Sequence, residues 1–422
     1  MARFSEQEWA AVRAELARHD DASEAYGLPE RREASVVLSS FNIRALGKAD
    51  TRTASREKGR TQGAWDLLAA YASRCDFLAI QEVKDELSGL KRLKDSLAEP
   101  DKYALVVSDV TGARPGKDAI QERLAFLYRW DRIARTELAS DITFDRRAVL
   151  ETIYGKWEAF KSDFDTHENL MKKYEDKVRE FESGQRASKP DKPAFVLSNF
   201  LTFIRTPHVA SFRLRGEAGA EPIPFHAVNA HLLYGDKSRS AEERKMEFDA
   251  LIDWLRWRTK SVKRLYQQNI ILFGDMNLEF DKQFTSLDDA DEAIKAMNQD
   301  IGRGYKVNFP FLDVPKKRQD PPLGDGKGRF MSTARMTQTY DQIGFFGHKG
   351  ALPLHDANED AGRSGRDGYD YGVFAFADLF AKALHDADSF LEAPSPKSFV
   401  RRFEHDVSDH HPIWVRLPVP RP

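Results

Sequence analysis

Five short segments, spread along the chain, each run from apolar residues into a polar side chain. They are Ser40-Phe41-Asn42-Ile43-Arg44, Ile80-Gln81-Glu82-Val83, Val228-Asn229-Ala230-His231, Phe273-Gly274-Asp275-Met276-Asn277 and Ser408-Asp409-His410-His411-Pro412. A short apolar run reads as a buried strand. The carboxylate, amide or imidazole that follows is then delivered to a sheet edge. Such a group is costly to bury without a partner. The fold must therefore bring these strand ends to one place. With 422 residues, length alone allows two or three domains. Segments that run from Asn42 to His410 and must meet imply one principal domain with insertions.

The pattern between the segments predicts the elements. Strands are expected at Ala34 to Ile43, Phe77 to Ile80, Tyr103 to Ser108, Leu124 to Tyr128 and Phe200 to Ile204. More are expected at Val209 to Leu214, Phe225 to Ala230, Ile270 to Phe273, Tyr340 to Phe345 and Ile413 to Leu417. Helices are expected from Gly63 to Tyr71 and Leu87 to Leu97. Ser5 with Glu8, and Ser240 with Glu243, form capping boxes that start two more. Interleaved strands and helices predict an α/β fold. It is a four-layer sandwich, two packed mixed β-sheets flanked by helices. Residues 1–30 read as a helical extension and 31–418 as the main domain.

Two insertions interrupt it. Over 145–192, Trp157, Phe160, Phe164, His167, Met171, Tyr174, Val178 and Phe181 recur alternately three and four apart. That is an apolar seam on a charged helix, stopped at Gly184. It predicts an inserted helical arm, packed on its own domain or joining a twin or protein partner. Over 353–396 an Asp- and Gly-rich stretch predicts a long loop before a helix near Phe374 to Leu384.

Composition narrows the setting. A net charge of -2 gives no global pull toward nucleic acid, so basic surface must be local. Candidates are Lys91-Arg92-Leu93-Lys94, Lys316-Lys317-Arg318 and Arg401-Arg402. A single Cys75 excludes an internal disulfide framework. The first residues lack the apolar core of a secretory signal, and no apolar run approaches a membrane span of ~20 residues. A soluble, cytoplasmic protein is expected.

The polar residues have a common chemistry. Asp275 and Asn277, two apart after a strand, can reach one point with an acid and an amide. Glu82 and Asn42 end buried strands, where a metal or phosphate would satisfy them. His231 and His410 suit proton transfer at neutral pH, given an orienting acid on the second ring nitrogen. Glu122 and Asp341 are the acids not otherwise assigned. His208 and His226 read as structural.

These segments resemble the endonuclease/exonuclease/phosphatase superfamily, and most closely its deoxyribonuclease I-like branch. The most telling pieces are Phe41-Asn42-Ile43-Arg44, Ile80-Gln81-Glu82-Val83-Lys84-Asp85, and Glu122-Arg123-Leu124-Ala125-Phe126-Leu127-Tyr128. Gly274-Asp275-Met276-Asn277, Tyr340-Asp341-Gln342-Ile343 and Ser408-Asp409-His410 complete the set. The resemblance implies a hydrolase using Mg²⁺ or Mn²⁺, with Glu82, Asn42 and Asp409 as metal ligands. It implies that Asp275 and Asn277 position metal and phosphate. His231 with Glu122, and His410 with Asp341, would be acid/base dyads. Asn42, Arg44 and Lys84 would contact substrate, with Lys84 standing where an arginine is common. Leu232-Leu233-Tyr234, the absent disulfides and the 145–192 arm depart from the branch. The expected reaction is endonucleolytic hydrolysis of DNA. The alternatives are a phosphatase or phospholipase C-type enzyme on inositol phosphates or sphingomyelin, and an abasic-site repair endonuclease.

Overall fold

A computed structural model describes residues 3–18, 25–50, 59–112, 121–144, 146–234, 238–260, 269–278, 296–297, 299, 304–311, 331–348, 352 and 371–422. Among these, β1 (Ser35–Leu46), β2 (Phe77–Val83), β3 (Tyr103–Val107), β4 (Arg123–Arg129), β11 (Tyr371–Val373) and β12 (Ile413–Pro418) form one sheet. Its order is β11-β12-β1-β2-β4-β3. The second sheet holds β5 (Ile133–Asp141), β6 (His208–Leu214), β7 (Ile223–His231), β8 (Ile270–Asp275), β9 (Tyr305–Asn308) and β10 (Asp341–His348). Its order is β5-β6-β7-β8-β10-β9. Both sheets are mixed. β1 pairs with β2, and β7 with β8, in parallel; the other ladders are antiparallel.

Parallel neighbours need a long crossover, usually a helix. Here α2 (Gln62–Ala72) joins β1 to β2, and α6 (Ser238–Lys260) joins β7 to β8. The central strands are apolar throughout because both faces are covered. On β2, Phe77 and Ala79 enter the core between the sheets, while Leu78 and Ile80 enter the core under the helices. On β8, Ile271 and Phe273 face the other sheet, and Ile270 and Leu272 face α6 residues such as Leu251 and Leu255. Three apolar layers thus separate four structural layers.

The first sheet's outer face is covered by α1 (Glu6–Arg18), α2, α3 (Ser88–Asp95), α7 (Phe376–His385) and α8 (Pro396–Asp406). The first capping box forms: Ser5 N donates to Glu8 Oε2 at 2.7 Å, and Glu8 N to Ser5 Oγ at 3.2 Å. Trp9 then seats edge-on against Phe380, ring centres 5.1 Å apart. Two basic candidates serve this packing. Arg402 pairs with Glu8 at 2.7 Å, and Arg92 lies over the Trp65 ring at 4.6 Å. Lys316-Lys317-Arg318 lies outside the described residues, as do residue 145 and 353–370.

Several expectations differ from the structure. Residues 200–204 form no strand. Phe200 and Phe203 instead cluster with Phe144 over the second sheet, with centroids 5.1 to 6.0 Å apart. The 146–182 stretch is two helices, α4 (Arg146–Gly155) and α5 (Trp157–Glu182). Along its seam, Phe160 is buried, while Phe164 and His167 pack on Phe195 at 4.9 Å. Trp157 stays exposed. α6 begins at Ser238, two residues before its expected cap.

One buried acid gives a stability test. Asp378 on α7 accepts the Phe390 N–H at 2.9 Å, and burial pushes its carboxyl up to about 6. A carboxyl raised on folding contributes stability that is complete below its unfolded value near ~3.9 and lost as pH rises through about 6. The loss is on the order of 3 kcal/mol. Asp378→Asn keeps the acceptor and removes the titration. Its denaturation midpoint should vary less between pH 4 and pH 7 than that of the unmodified chain. Identical pH profiles would contradict this.

Candidate active site

Strand direction decides which ends meet. The parallel strands β1, β2, β7 and β8 carry Asn42, Glu82, His231 and Asp275 at or near their C-terminal ends. The antiparallel strands run the other way, so they offer their starts to the same edge. Glu122 precedes β4, Asp341 opens β10, and Asp409 and His410 precede β12. Across the second sheet, His231, Asp275 and Asp341 stand in one row. The crevice outside the carboxyl ends of parallel strands is the common place for a site in α/β folds.

Local backbone makes the row possible. Gly274 has φ 152°, and a Cβ there would lie 1.9 Å from the Ala230 carbonyl oxygen. Only glycine lets β8 approach β7 so closely. Glu82 and Asn277 hold positive φ, 59° and 50°, which non-glycine residues seldom adopt. The β1–β2 ladder shifts register between Asn42 and Leu46. In that irregular stretch the Ala45 N–H turns to Glu82 Oε2 at 2.9 Å. Ser408 Oγ donates to the Asn42 carbonyl at 2.7 Å and accepts from Arg44 N at 3.1 Å, tying the last segment to the first.

All eleven residues singled out in the sequence line one cleft or touch its walls. Asn42, Arg44, Glu82, Lys84, Glu122, His231, Asp275, Asn277, Asp409 and His410 line a cavity of ≈ 500 Å³. Asp341 lies buried behind His410. Its Oδ2 is 2.7 Å from His410 Nδ1, and Glu122 Oε2 is 2.8 Å from His231 Nδ1. The other ring nitrogens converge. His231 Nε2 and His410 Nε2 each lie 3.5 Å from the same oxygen, Asp275 Oδ2. Asn42 Nδ2 donates to that oxygen at 2.9 Å, and Asn277 N donates to Asp275 Oδ1 at 2.9 Å. The two cations are engaged. Arg44 Nη1 lies 3.6 Å from Asp409 Oδ2, and Lys84 Nζ lies 3.3 Å from Glu122 Oε1. His208, read as structural, is bonded to Asp141 at 2.9 Å.

The surroundings set the charges. Burial works against the Glu122 carboxylate, but the His231 ring, Arg205 and Lys84 outweigh it and pull its pKa to about 2. Burial likewise opposes Asp275, yet the two imidazoles, the Asn42 amide and the Asn277 N–H hold it below the usual carboxylate range. Burial alone would push the His410 ring down. The Asp341 and Asp275 carboxylates reverse that and hold it well above the ordinary histidine value. Arg205 is a site residue missed in the sequence. Its Nε lies 3.4 Å from Glu122 Oε2, and its Nη1 donates to the Leu232 carbonyl at 2.8 Å. Phe203-Ile204-Arg205 has the same apolar-then-polar form as the other segments, with Arg205 one residue past the strand expected at Phe200 to Ile204.

Two groups bring ligand atoms within 4.8 Å of one another: Glu82, Glu122 and His231, and Asp275, Asp341 and His410. Most of those atoms already pair with each other. Asp341 Oδ1, behind His410, is buried with no hydrogen-bond partner among the described residues, and so, lining the cleft, are Asn42 Oδ1 and Asp409 Oδ1. With the Glu82 carboxylate the latter two offer hard oxygen donors in the same cleft. That donor set fits Mg²⁺ or Mn²⁺.

No family model matches the chain. It is similar to deoxyribonuclease gamma of Rattus norvegicus, 27% identical over 96 residues. That stretch is 22% of this chain and spans 28% of the length of that relative. Among solved structures, an endonuclease/exonuclease/phosphatase family protein from Bacteroides thetaiotaomicron aligns over 91% of this chain and 95% of its own. The identity is 15% and the TM-score 0.42. D. rerio TDP2 complexed with single strand DNA product aligns over 91% of this chain and 99% of its own, at 12% identity and TM-score 0.40.

Proposed function

We propose that this chain is a metal-dependent phosphodiesterase of the endonuclease/exonuclease/phosphatase superfamily that hydrolyses DNA. One observation carries the reading. Two imidazoles, each held at Nδ1 by its own carboxylate, aim Nε2 at one point, one from the end of β7 and one from the segment before β12. In-line displacement at phosphorus needs a proton taken from the attacking water and one given to the departing oxygen. A pair of proton carriers flanking one point serves both. Glu122, held anionic, keeps His231 in the tautomer that accepts at Nε2. His410, held protonated by its two carboxylates, donates to the leaving oxygen. Asp275 and Asn277 would position metal and phosphate.

Glu82, Asp409 and Asn42 would hold Mg²⁺ or Mn²⁺. An ion bound there supplies the positive charge that polarises a phosphoryl oxygen. Arg44 and Lys84 would face the flanking phosphates. The stretch similar to deoxyribonuclease gamma supports DNA over other esters. No described helix is long and apolar enough to cross a membrane.

One observation favours a small phosphate ester instead, an inositol phosphate or sphingomyelin headgroup. Arg44 and Lys84 are paired with Asp409 and Glu122, so neither is held ready for a DNA backbone. Salt dependence separates the readings. Each phosphate contact contributes roughly 0.9 to the slope of log affinity against log salt. DNA binding should therefore weaken steeply with salt. Arg44→Ala and Lys84→Ala should each flatten the slope by about one and weaken all sequences alike. DNA affinity indifferent to salt would favour the small-ester reading.

A further inference from the structure

Beneath the cleft, polar side chains enter the core between the sheets. There Ser40, Gln81 and Asn229 are all 0% exposed. Each precedes a site residue on its own strand: Ser40 before Asn42, Gln81 before Glu82, Asn229 before His231. Asn229 lies on β7, yet its hydrogen bonds cross to the other sheet. Its Nδ2 donates to the Ile80 carbonyl at 3.1 Å and the Ala125 carbonyl at 3.0 Å. Its Oδ1 accepts from Gln81 Nε2 at 2.6 Å. Gln81 Nε2 also donates to Ser40 Oγ at 3.2 Å.

Those two carbonyls belong to the Ile80–Ala125 pair, the last regular pair before the β2–β4 ladder slips. The register shifts between Ile80 and Val83, and Glu82 sits within the slip at φ 59°. A strained backbone of this kind persists only where its surroundings enforce it. Asn229 donates to a carbonyl of each strand at the edge of the break and grips the residue before Glu82. A buried amide in an apolar layer is tolerated only when its donors and acceptor are satisfied, and these are.

We propose that Asn229 is a positioning residue: it fixes the backbone slip that presents Glu82, and so fixes the cation site relative to His231 two residues along its own strand. The inference rests on the metal reading above and adds a residue outside the cleft. Ala in place of Asn229 removes the side-chain donor to the Ile80 and Ala125 carbonyls and the oxygen that accepts from Gln81 Nε2, leaving Gln81 only the Ser40 hydroxyl. The slip then relaxes and the Glu82 carboxylate leaves its place.

Direct titration of Mn²⁺ by calorimetry, without substrate, tests this. Outer partners of metal ligands typically contribute about 10- to 100-fold to metal affinity. Asn229→Ala should bind Mn²⁺ at least ~10-fold more weakly than the unmodified chain. Ser211→Ala is the control. It removes a buried hydroxyl on the neighbouring β6, bonded to Leu138 N at 2.9 Å, far from Glu82 in the register. It should lower the melting temperature and leave Mn²⁺ affinity unchanged. In a Glu82→Gln background, Asn229→Ala should weaken Mn²⁺ no further, because the ligand it serves is already altered. Should Asn229→Ala not fold, Asn229→Ser replaces it, with a smaller loss of affinity expected. Mn²⁺ affinity unchanged in the folded Asn229 variant, or reduced equally in Ser211→Ala, overturns the proposal. An unmodified chain that binds no Mn²⁺ overturns the metal reading, and this inference falls with it.

Discussion

Replacing His231 with alanine should lower turnover by about 10²–10⁴-fold, roughly 3–5 kcal/mol in the barrier, while the protein stays folded. Glu122 keeps Arg205 and Lys84 as partners, at 3.4 and 3.3 Å, so its buried charge is not abandoned. His410→Ala should lose as much activity but behave differently in stability. Asp341 is fully buried, and the His410 ring is its nearest cation, at 2.7 Å. Removing the ring leaves a buried carboxylate uncompensated, which costs about 3–5 kcal/mol by analogy with broken buried pairs. The open strand edge expected from sequence would have made both substitutions nearly neutral for folding. The two imidazoles are in fact buried, with His231 only 3% exposed. Steady-state rates and denaturation midpoints of both variants check this. Unaltered turnover in either one would remove the two-dyad mechanism.

Phe77→Ala should lower unfolding free energy by about 3–5 kcal/mol without altering the site's chemistry. Phe77 is fully buried where the sheets meet. Its ring lies 5.0 Å from Phe212, 5.3 Å from Phe126 and Phe273, and 6.0 Å from Phe225. These five rings come from both sheets, so the cavity left behind cannot collapse from one side. Denaturant titration should show a lower midpoint with little change in slope. A loss below ~1 kcal/mol would mean that the inter-sheet layer repacks freely.

The central strands were legible because both their faces are covered. Phe77 to Ile80 and Ile270 to Phe273 are apolar without interruption and stand out in any register. β5 was missed because it is an edge strand, with Arg135, Glu137, Ala139 and Ser140 exposed among half-buried neighbours. β9 and β11 span 4 and 3 residues, too few to show a period. α8 begins with Pro396 in its first turn, a start signal that was present but not used. Residues 200–204 were read as a strand from composition, whereas their rings serve a cluster. In the site, single residues were visible as polar ends of apolar runs. Their pairing was not. His231 and Glu122 are 109 positions apart, and His410 and Asp341 are 69 apart, so only tertiary structure joins them. The pairing is implied by the family resemblance, and in the structure those ring nitrogens lie 2.8 and 2.7 Å from the carboxylates. Asn229 stood in one of the five segments from the start. Its role was hidden because it acts across sheets, on carbonyls that no side-chain pattern reveals.

The most direct test of the account is cleavage of supercoiled plasmid by the purified chain with Mg²⁺, followed by addition of a chelator. Abasic duplex, an inositol phosphate and sphingomyelin are run in parallel. Nicked circles that form with Mg²⁺, stop with chelator and are missing with His231→Ala are the predicted result. Intact plasmid in the presence of Mg²⁺, with release of phosphate or headgroup from one of the small esters, would contradict it.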